Sequence, residues 1–292
     1  MDSPLSLKSL GKPLPSKTPL WRYIKLHSLL SLLQGAVFIP TIATLQSTDP
    51  MEAKNVCKRT REKLCGLSAD DQDWLLARAT WFEKARLQNT GTPREQRNRL
   101  LVDIWLREIA KRRCAWCWFN EDIESMALWN IYGREGVAIS TTPERIAAAM
   151  APDDLGWARV ARVEYNDDPE TADMPEHCSL RPYLFKKRCY SHEKEVRVII
   201  PADYFIESEP GLTIFLNYRT LVQEVRLSPF MQDLDALFVK KLLEKIMPES
   251  GIKVTISESH GSRSPLGMEM SLSFRTPVHP GIKVPQFMQA DL

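Results

Sequence analysis

The chain has 292 residues, 43% of them hydrophobic and 26% charged, with 39 basic against 37 acidic side chains. That is long for one domain and short for two, which favours one domain carrying an insertion. The even charge balance excludes a composition-level case for nucleic-acid binding or for a polybasic membrane contact.

Residues 1–18, rich in Ser, Pro, Lys and Gly, read as a loose N-terminal arm. Leu20-Trp21-Arg22-Tyr23-Ile24 has the pattern of a short strand. Leucines on a helical spacing follow from Leu26 to Gln34, and Gly35 is suited to the position just past a helix end. Ala36 to Ile39 reads as a second strand ended by Pro40, and Ser47-Thr48-Asp49-Pro50 as a polar loop. Residues 52–113 are helical in pattern and form the expected insertion. Val102, Trp105, Leu106 and Ile109 fall at i, i+3, i+4 and i+7. Trp74, Leu75, Trp81 and Phe82 suggest another helix before it, separated by the turn Asn89-Thr90-Gly91-Thr92-Pro93.

From Ala115 the pattern turns to strands. Gly136 to Ser140 is one, and Thr141 or Thr142 caps a short helix with Pro143 at its start and Glu144 in its first turn. Val160 to Tyr165 is a strand, residues 166–180 a polar loop, and Glu195 to Ile200 a strand with Val196, Val198 and Ile200 alternating. Leu221 to Leu227, an amphipathic helix from Leu237 to Ile246, and Ile252 to Ile256 complete an α+β domain over 19–260, with a C-terminal tail at 261–292. Strands and helices interleave without βαβ regularity, which favours a single mixed sheet over a doubly wound one.

Six cysteines, at 57, 65, 114, 117, 178 and 189, are too sparse for a disulfide framework. Cys114-Ala-Trp-Cys117 has Cys-x-x-Cys spacing, but no second pair completes a zinc site, so it reads as two half-buried thiols. The most apolar stretch, Ile24 to Ile39, is interrupted by Lys25, His27, Gln34 and Gly35 and is too short and polar to span a bilayer. The expectation is a cytoplasmic protein with no signal peptide, no anchor and no membrane partner. Neither the dinucleotide-binding glycine fingerprint nor a P-loop occurs.

A set of segments in order resembles a bacterial domain-of-unknown-function family, the one numbered 2971. They are Trp21-Arg22-Tyr23 with the leucine helix after it, Asp49-Pro50-Met51-Glu52, Cys117-Trp118-Phe119, Leu128-Trp129-Asn130-Ile131-Tyr132-Gly133, Gly136 to Ile139, Phe185-Lys186-Lys187-Arg188, and Glu193-Lys194-Glu195-Val196-Arg197. Together they span about residues 20–257. Thr48 stands where members usually carry Asn before the Asp-Pro. A more distant resemblance carries chemistry. Arg22, then Ser140-Thr141-Thr142, then Glu193-Lys194-Glu195 leading into an apolar strand to Pro201, is similar to the ordered landmarks of mono-ADP-ribosyltransferases of the Arg-Ser-Glu type.

That resemblance implies an ADP-ribosyltransferase-like fold with NAD as substrate and Glu195, Glu193 and Ser140 as catalytic residues. Glu195 would hold the nicotinamide ribose and stabilise the oxocarbenium-like charge. Glu193 would orient or deprotonate the acceptor, a protein side chain or a nucleic acid. Ser140 would position the glutamate or the ribose. Arg22 would grip the NAD phosphates, Tyr23 or Trp129 would stack on a ring, and Thr141 would join the cofactor set. Residues two apart on an extended segment share a face, so Glu193 and Glu195 are expected to point together and to raise each other's pKa. A relaxed version would hydrolyse NAD, in the setting of a bacterial toxin, effector or phage-defence protein.

Bland readings stand beside each role. Glu193 and Glu195 read equally as solvated charges on an exposed strand face, Ser140-Thr141-Thr142 as a strand end with a helix cap, Trp129 and Tyr132 as core aromatics, Lys186-Lys187-Arg188 as a solvated run, and His192 as a partly exposed structural histidine. The main rival function is a non-enzymatic binding or sensor domain with an aromatic cleft around Trp116, Trp118 and Trp129. The lesser one is a metal-dependent nuclease using Asp49 and Glu52.

Overall fold

Period-2 alternation of apolar side chains builds the central sheet. The computed structural model describes residues 7–9, 12–49, 69–150, 158–168, 180–201, 210–247 and 251–257. The chain divides after Ser259, and the unit from His260 on lies outside the described residues, with the expected tail 261–292. So do residues 50–68 of the expected insertion and its flank, and 169–179 of the expected loop.

The strands, in chain order, are β1 Lys8–Ser9, β2 Leu20–Lys25, β3 Ala36–Pro40, β4 Arg113–Phe119, β5 Gly136–Thr141, β6 Arg159–Arg162, β7 Glu164–Tyr165, β8 Phe185–Lys186, β9 Glu195–Pro201, β10 Gly211–Phe215, β11 Glu224–Leu227 and β12 Lys253–Ile256. Eight of them form one mixed sheet in the order β1-β6-β9-β4-β2-β5-β11-β12. The outer pairs β1–β6 and β11–β12 are parallel and the inner pairs antiparallel. This is the mixed α+β architecture that the interleaved pattern predicts. Even-numbered β9 residues Val196, Val198 and Ile200 enter the main core with Trp116 and Trp118 of β4 and Val137 and Ile139 of β5. Odd-numbered residues face the other way, where Ala115, Ala161 and Ile199 meet Tyr183.

Helix α1, Leu26–Leu33, buries Leu29 and Leu32 on the core face and ends at Gly35, whose φ of 86° is accessible to glycine at little cost. Helix α2 is Ile42–Thr48, opened by the Thr41 side chain accepting from the Thr44 amide. The helical block comprises α3 Ala69–Arg78, α4 Trp81–Gln88 and α5 Arg94–Ala110. Further on, α6 Met126–Leu128 continues into a π-turn, Trp129–Gly133, and α7 is Pro143–Ala149. The Thr142 side chain accepts from the Arg145 amide, as the Thr-Pro-Glu signal predicts. The last helices are α8 Tyr218–Leu221 and α9 Asp233–Ile246.

Several local expectations are corrected. Within the supposed loose arm, Lys8 and Ser9 pair with β6, and Leu7 and Leu14 are buried in the core. The polar segment through Ser47 continues α2 rather than forming a loop. The single helix expected around Trp74 to Phe82 is two, because Thr80 and Glu83 form a reciprocal capping box that starts a new helix. The strand expected over 160–165 breaks into β6 and β7, and the segment from Leu221 begins as the end of α8. β3 leaves the main sheet and pairs with β10, a strand with no expectation behind it. Among the described residues no helix is long and apolar enough to cross a membrane.

Candidate functional site

The sheet is split at its middle. β2 pairs with β5 along all six of its residues and β4 with β9 along all seven, yet β2 and β4 share only the register Trp21↔Phe119. Past that point the strands part. Arg22 fills the opening, its Nη1 donating to the Cys117 carbonyl, a strand-edge acceptor that a continuing ladder would occupy. Burial lowers the Arg22 guanidinium from its ordinary value, against the attraction of the Glu195 carboxylate.

A cavity of about 650 Å³ lies over this opening. Its floor is the face of β4 and β9 that bears Cys117, Phe119, Glu195 and Arg197, and its walls include Tyr23, Tyr132 and Lys186. Among the described residues it is lined by three cations, Arg22, Lys186 and Arg197, and three carboxylates, Asp49, Glu193 and Glu195, together with His192.

Lys186 is the hub. It comes from β8, which β7 holds in place by parallel pairing. Its ammonium lies 2.8 Å from Glu193 Oε2 and 2.9 Å from Glu195 Oε2. Both carboxylates are buried, at 4% and 3% exposure. Arg197 grips Glu195 from the same strand face, Nε to Oε1 at 2.8 Å and Nη2 to Oε2 at 3.0 Å, and its Nη1 donates to the Tyr183 carbonyl. Tyr165 accepts from the Glu195 amide through its hydroxyl oxygen. Glu193 is bound more lightly: the Tyr132 hydroxyl donates to Oε1 at 2.9 Å and Lys186 to Oε2.

The two glutamates do converge, but not by strand alternation. A 3-10 turn, Arg188–Glu193, ends at Lys194 with φ 43°, a left-handed residue, and β9 begins only at Glu195. A lysine held there is strained relative to the right-handed regions, and the turn aims Glu193 back toward Lys186. The expected mutual raising of pKa is corrected for Glu195. Burial would push its carboxyl up, but the charges of Arg197 and Lys186 outweigh this and hold it at about 2. The expected exposed face of solvated charges is likewise overturned at 193, 195 and 197, where all three side chains are buried.

The remaining expected residues separate. Tyr23 lines the cavity; burial pushes its phenol up to about 12, and its oxygen accepts from the Ser125 amide. Ser140 does not reach the cavity. It lies in one cross-strand row with Trp21, Phe119 and Glu195, on the same face, with two aromatic side chains in between. Three strand spacings are roughly 14 Å, far beyond a hydrogen bond. Thr141 points to the opposite face, is 1% exposed, and donates its hydroxyl to the Leu221 carbonyl. Trp129 is fully buried, set edge-on to Tyr23 at 4.9 Å between centroids, with Nε1 donating to Glu124. It has no face to offer a ligand. Gly133 permits that seating, since a Cβ there would lie 2.7 Å from Trp129 Cε3. Trp116 and Trp118 of the supposed aromatic cleft are core residues on the far face.

The residues that the pattern did not single out are Arg197, Tyr132 and Lys186 as an inward-turned cation. Alternation carries the signal for Arg197, which shares its strand face with Glu195. Tyr132, read as core, is 42% exposed and stacks on Phe119. Cys114 and Cys117 sit three apart on a strand and so face opposite ways. Burial, reinforced by the Glu195 charge, pushes the Cys117 thiol up, which leaves it protonated and unreactive. Asp49 lines the cavity, while Glu52 lies outside the described residues. Among the described residues no group of three His, Cys, Asp or Glu side chains is placed to hold a metal ion.

Comparison with known proteins returned no matching family profile, curated protein or solved structure.

Proposed function

We propose that the cavity over the split sheet binds NAD and breaks its nicotinamide–ribose bond, passing ADP-ribose to a protein or nucleic-acid acceptor or to water. One observation carries the reading. Arg22 and Tyr23 of β2 and Glu193, about 170 residues further along the chain, line one cavity that also supplies an exposed aromatic ring. In such a reaction the C1′–N bond breaks, the electron pair leaves with nicotinamide, and the acceptor oxygen or nitrogen bonds to C1′ as it loses a proton.

The geometry supports a different division of labour from the sequence expectation. An ionised carboxylate accepts roughly four hydrogen bonds. Glu195 spends three on Arg197 and Lys186, with the Cys117 thiol against it. Glu193 spends two. Glu193 is therefore the carboxylate with capacity to face a developing oxocarbenium charge or to take the acceptor proton. Glu195 acts as a positioning residue that fixes Lys186 and, through it, Glu193. The Arg22 fork carries donors beyond the one given to Cys117 and suits a pyrophosphate. The Phe119–Tyr132 stack replaces Trp129 as the surface for a planar ring.

A binding module without chemistry is the second reading, favoured by the near-saturation of Glu195. The test is release of nicotinamide from NAD by the purified protein, with and without lysate and labelled NAD, for wild type, Glu193→Gln and Arg22→Gln. Release or labelling that drops at least about 100-fold in folded Glu193→Gln supports the transferase. Intact NAD under every condition with folded wild type, or full activity in Glu193→Gln, overturns it. NAD binding without turnover assigns the binding module.

A further inference from the structure

Helix α9 packs beside β12, the last strand of the sheet order, and is apolar on two sides. Ala236, Val239 and Leu243 enter the main core. Leu234, Phe238, Leu242 and Ile246 turn away from it and stay exposed, the first two at 70% and 69%, with exposed Leu237 beside them. Residues four apart stack into one ridge along a helix. A solvated helix face carries polar side chains, whereas a contiguous exposed apolar ridge marks a contact surface. Charge selects the partner. The first turn holds Asp233 and Asp235, and the second half holds Lys240, Lys241 and Lys245, with Glu244 lying 3.9 Å from Lys240. The sign of the charge therefore changes along the helix. A partner of one sign, such as an anionic membrane or a nucleic acid, meets attraction at one end and repulsion at the other. An antiparallel copy of the same helix meets attraction at both ends, and its dipole opposes the first.

We propose that α9 is the interface of a symmetric homodimer, packed antiparallel on α9 of a second copy. A two-fold axis level with Lys240 sets Leu234 against the partner's Ile246 and Phe238 against the partner's Leu242, and each acidic first turn beside the other's basic last turn. Identical ridges of residues four apart interdigitate in the commonest class of helix packing. The exposed apolar side chains offer on the order of 500 Å² per protomer, about 1,000 Å² in all, which is the lower limit for a specific interface. The dimer is accordingly weak, with a Kd of about 1–100 μM. No residue of α9 lines the cavity over the split sheet, so the interface is independent of the NAD reading.

Sedimentation equilibrium of the full chain between about 1 and 300 μM is the test. The mass is expected to rise with concentration from 33.5 kDa toward twice that value. Phe238→Glu changes an exposed side chain, keeps the core face of α9, and is expected to weaken the dimer at least about tenfold. Asp235→Lys and Lys245→Asp are each expected to weaken it at least about threefold alone, and an equimolar mixture of the two to associate as well as wild type, because only the mixed antiparallel pair restores opposite charges at both ends. Circular dichroism checks that every variant folds. A wild-type chain that stays at 33.5 kDa throughout overturns the proposal, whether α9 then takes up anionic lipid vesicles or is protected from hydrogen exchange within the monomer. An undiminished dimer in folded Phe238→Glu overturns it, as does a mixture of the two charge variants that associates no better than either alone.

Discussion

Glu195→Gln and Glu193→Gln are chemically the same change two residues apart, and the structure predicts unequal consequences for stability. Glu195 is 3% exposed and neutralises Arg197, itself 1% exposed. Removing its charge leaves a buried guanidinium with its principal anion gone. Breaking one partner of a buried pair costs about 3–5 kcal/mol. The pKa gives a second route to the magnitude. The Glu195 carboxyl is held at about 2 against an ordinary 4.5, which converts to about 3 kcal/mol of stability at neutral pH. Glu193→Gln leaves Lys186 paired with Glu195 and keeps an oxygen for the Tyr132 hydroxyl, a loss of about 1–2 kcal/mol. Urea unfolding of the three proteins at neutral pH, with slopes compared to check two-state behaviour, measures the difference. Glu195→Gln within about 1 kcal/mol of wild type would refute the argument that this carboxylate is bound up in holding the site together. It would restore Glu195 as the carboxylate poised for chemistry.

Acid dependence follows from the same group. Its folded pKa lies below its unfolded one, so its stabilisation is present above about pH 4.5 and is lost as pH falls toward about 2. In Lys186→Met one of the two cations holding the pKa down is gone, so acid titration of unfolding is expected to show a smaller loss across that window. An equal loss in both proteins would count against Lys186 as a cause of the shift. Gly133→Ala forces a Cβ to 2.7 Å from Trp129 Cε3 and 3.2 Å from the Tyr23 Cβ. Overpacking of about 1–3 kcal/mol and a changed near-ultraviolet tryptophan signal are expected; an unperturbed spectrum would show that the Trp129 seat is slack. A thiol reagent with mass mapping is expected to modify exposed Cys189 in the native protein and to spare Cys114 and Cys117 until denaturant is added.

Features that depend on neighbours within a few residues were legible along the chain. Alternation of Val196, Val198 and Ile200 placed β9 and its inward face. Thr142-Pro143-Glu144 started α7, and the leucine period with Gly35 bounded α1, because caps, proline and glycine act locally on the backbone. The Glu193, Glu195 and Arg22 trio was legible as an ordered set, and the cavity unites it. What the chain could not reveal depends on strand order and on turns. Ser140 and Glu195 share a face and a row, yet Trp21 and Phe119 stand between them, since three strand spacings separate β5 from β9. Lys186 looked like part of a solvated charge run, and only the β7–β8 pairing turns it inward while Lys187 and Arg188 stay exposed. The bland readings of Trp129 and Thr141 prevailed because each found a partner from another element, Glu124 and Leu221, that buries it. Which carboxylate is saturated and which retains capacity was set last, by Arg197 on one strand face and a left-handed Lys194 between them. Those are tertiary facts: residue order places charges along the chain, while folding decides which of them neutralise one another.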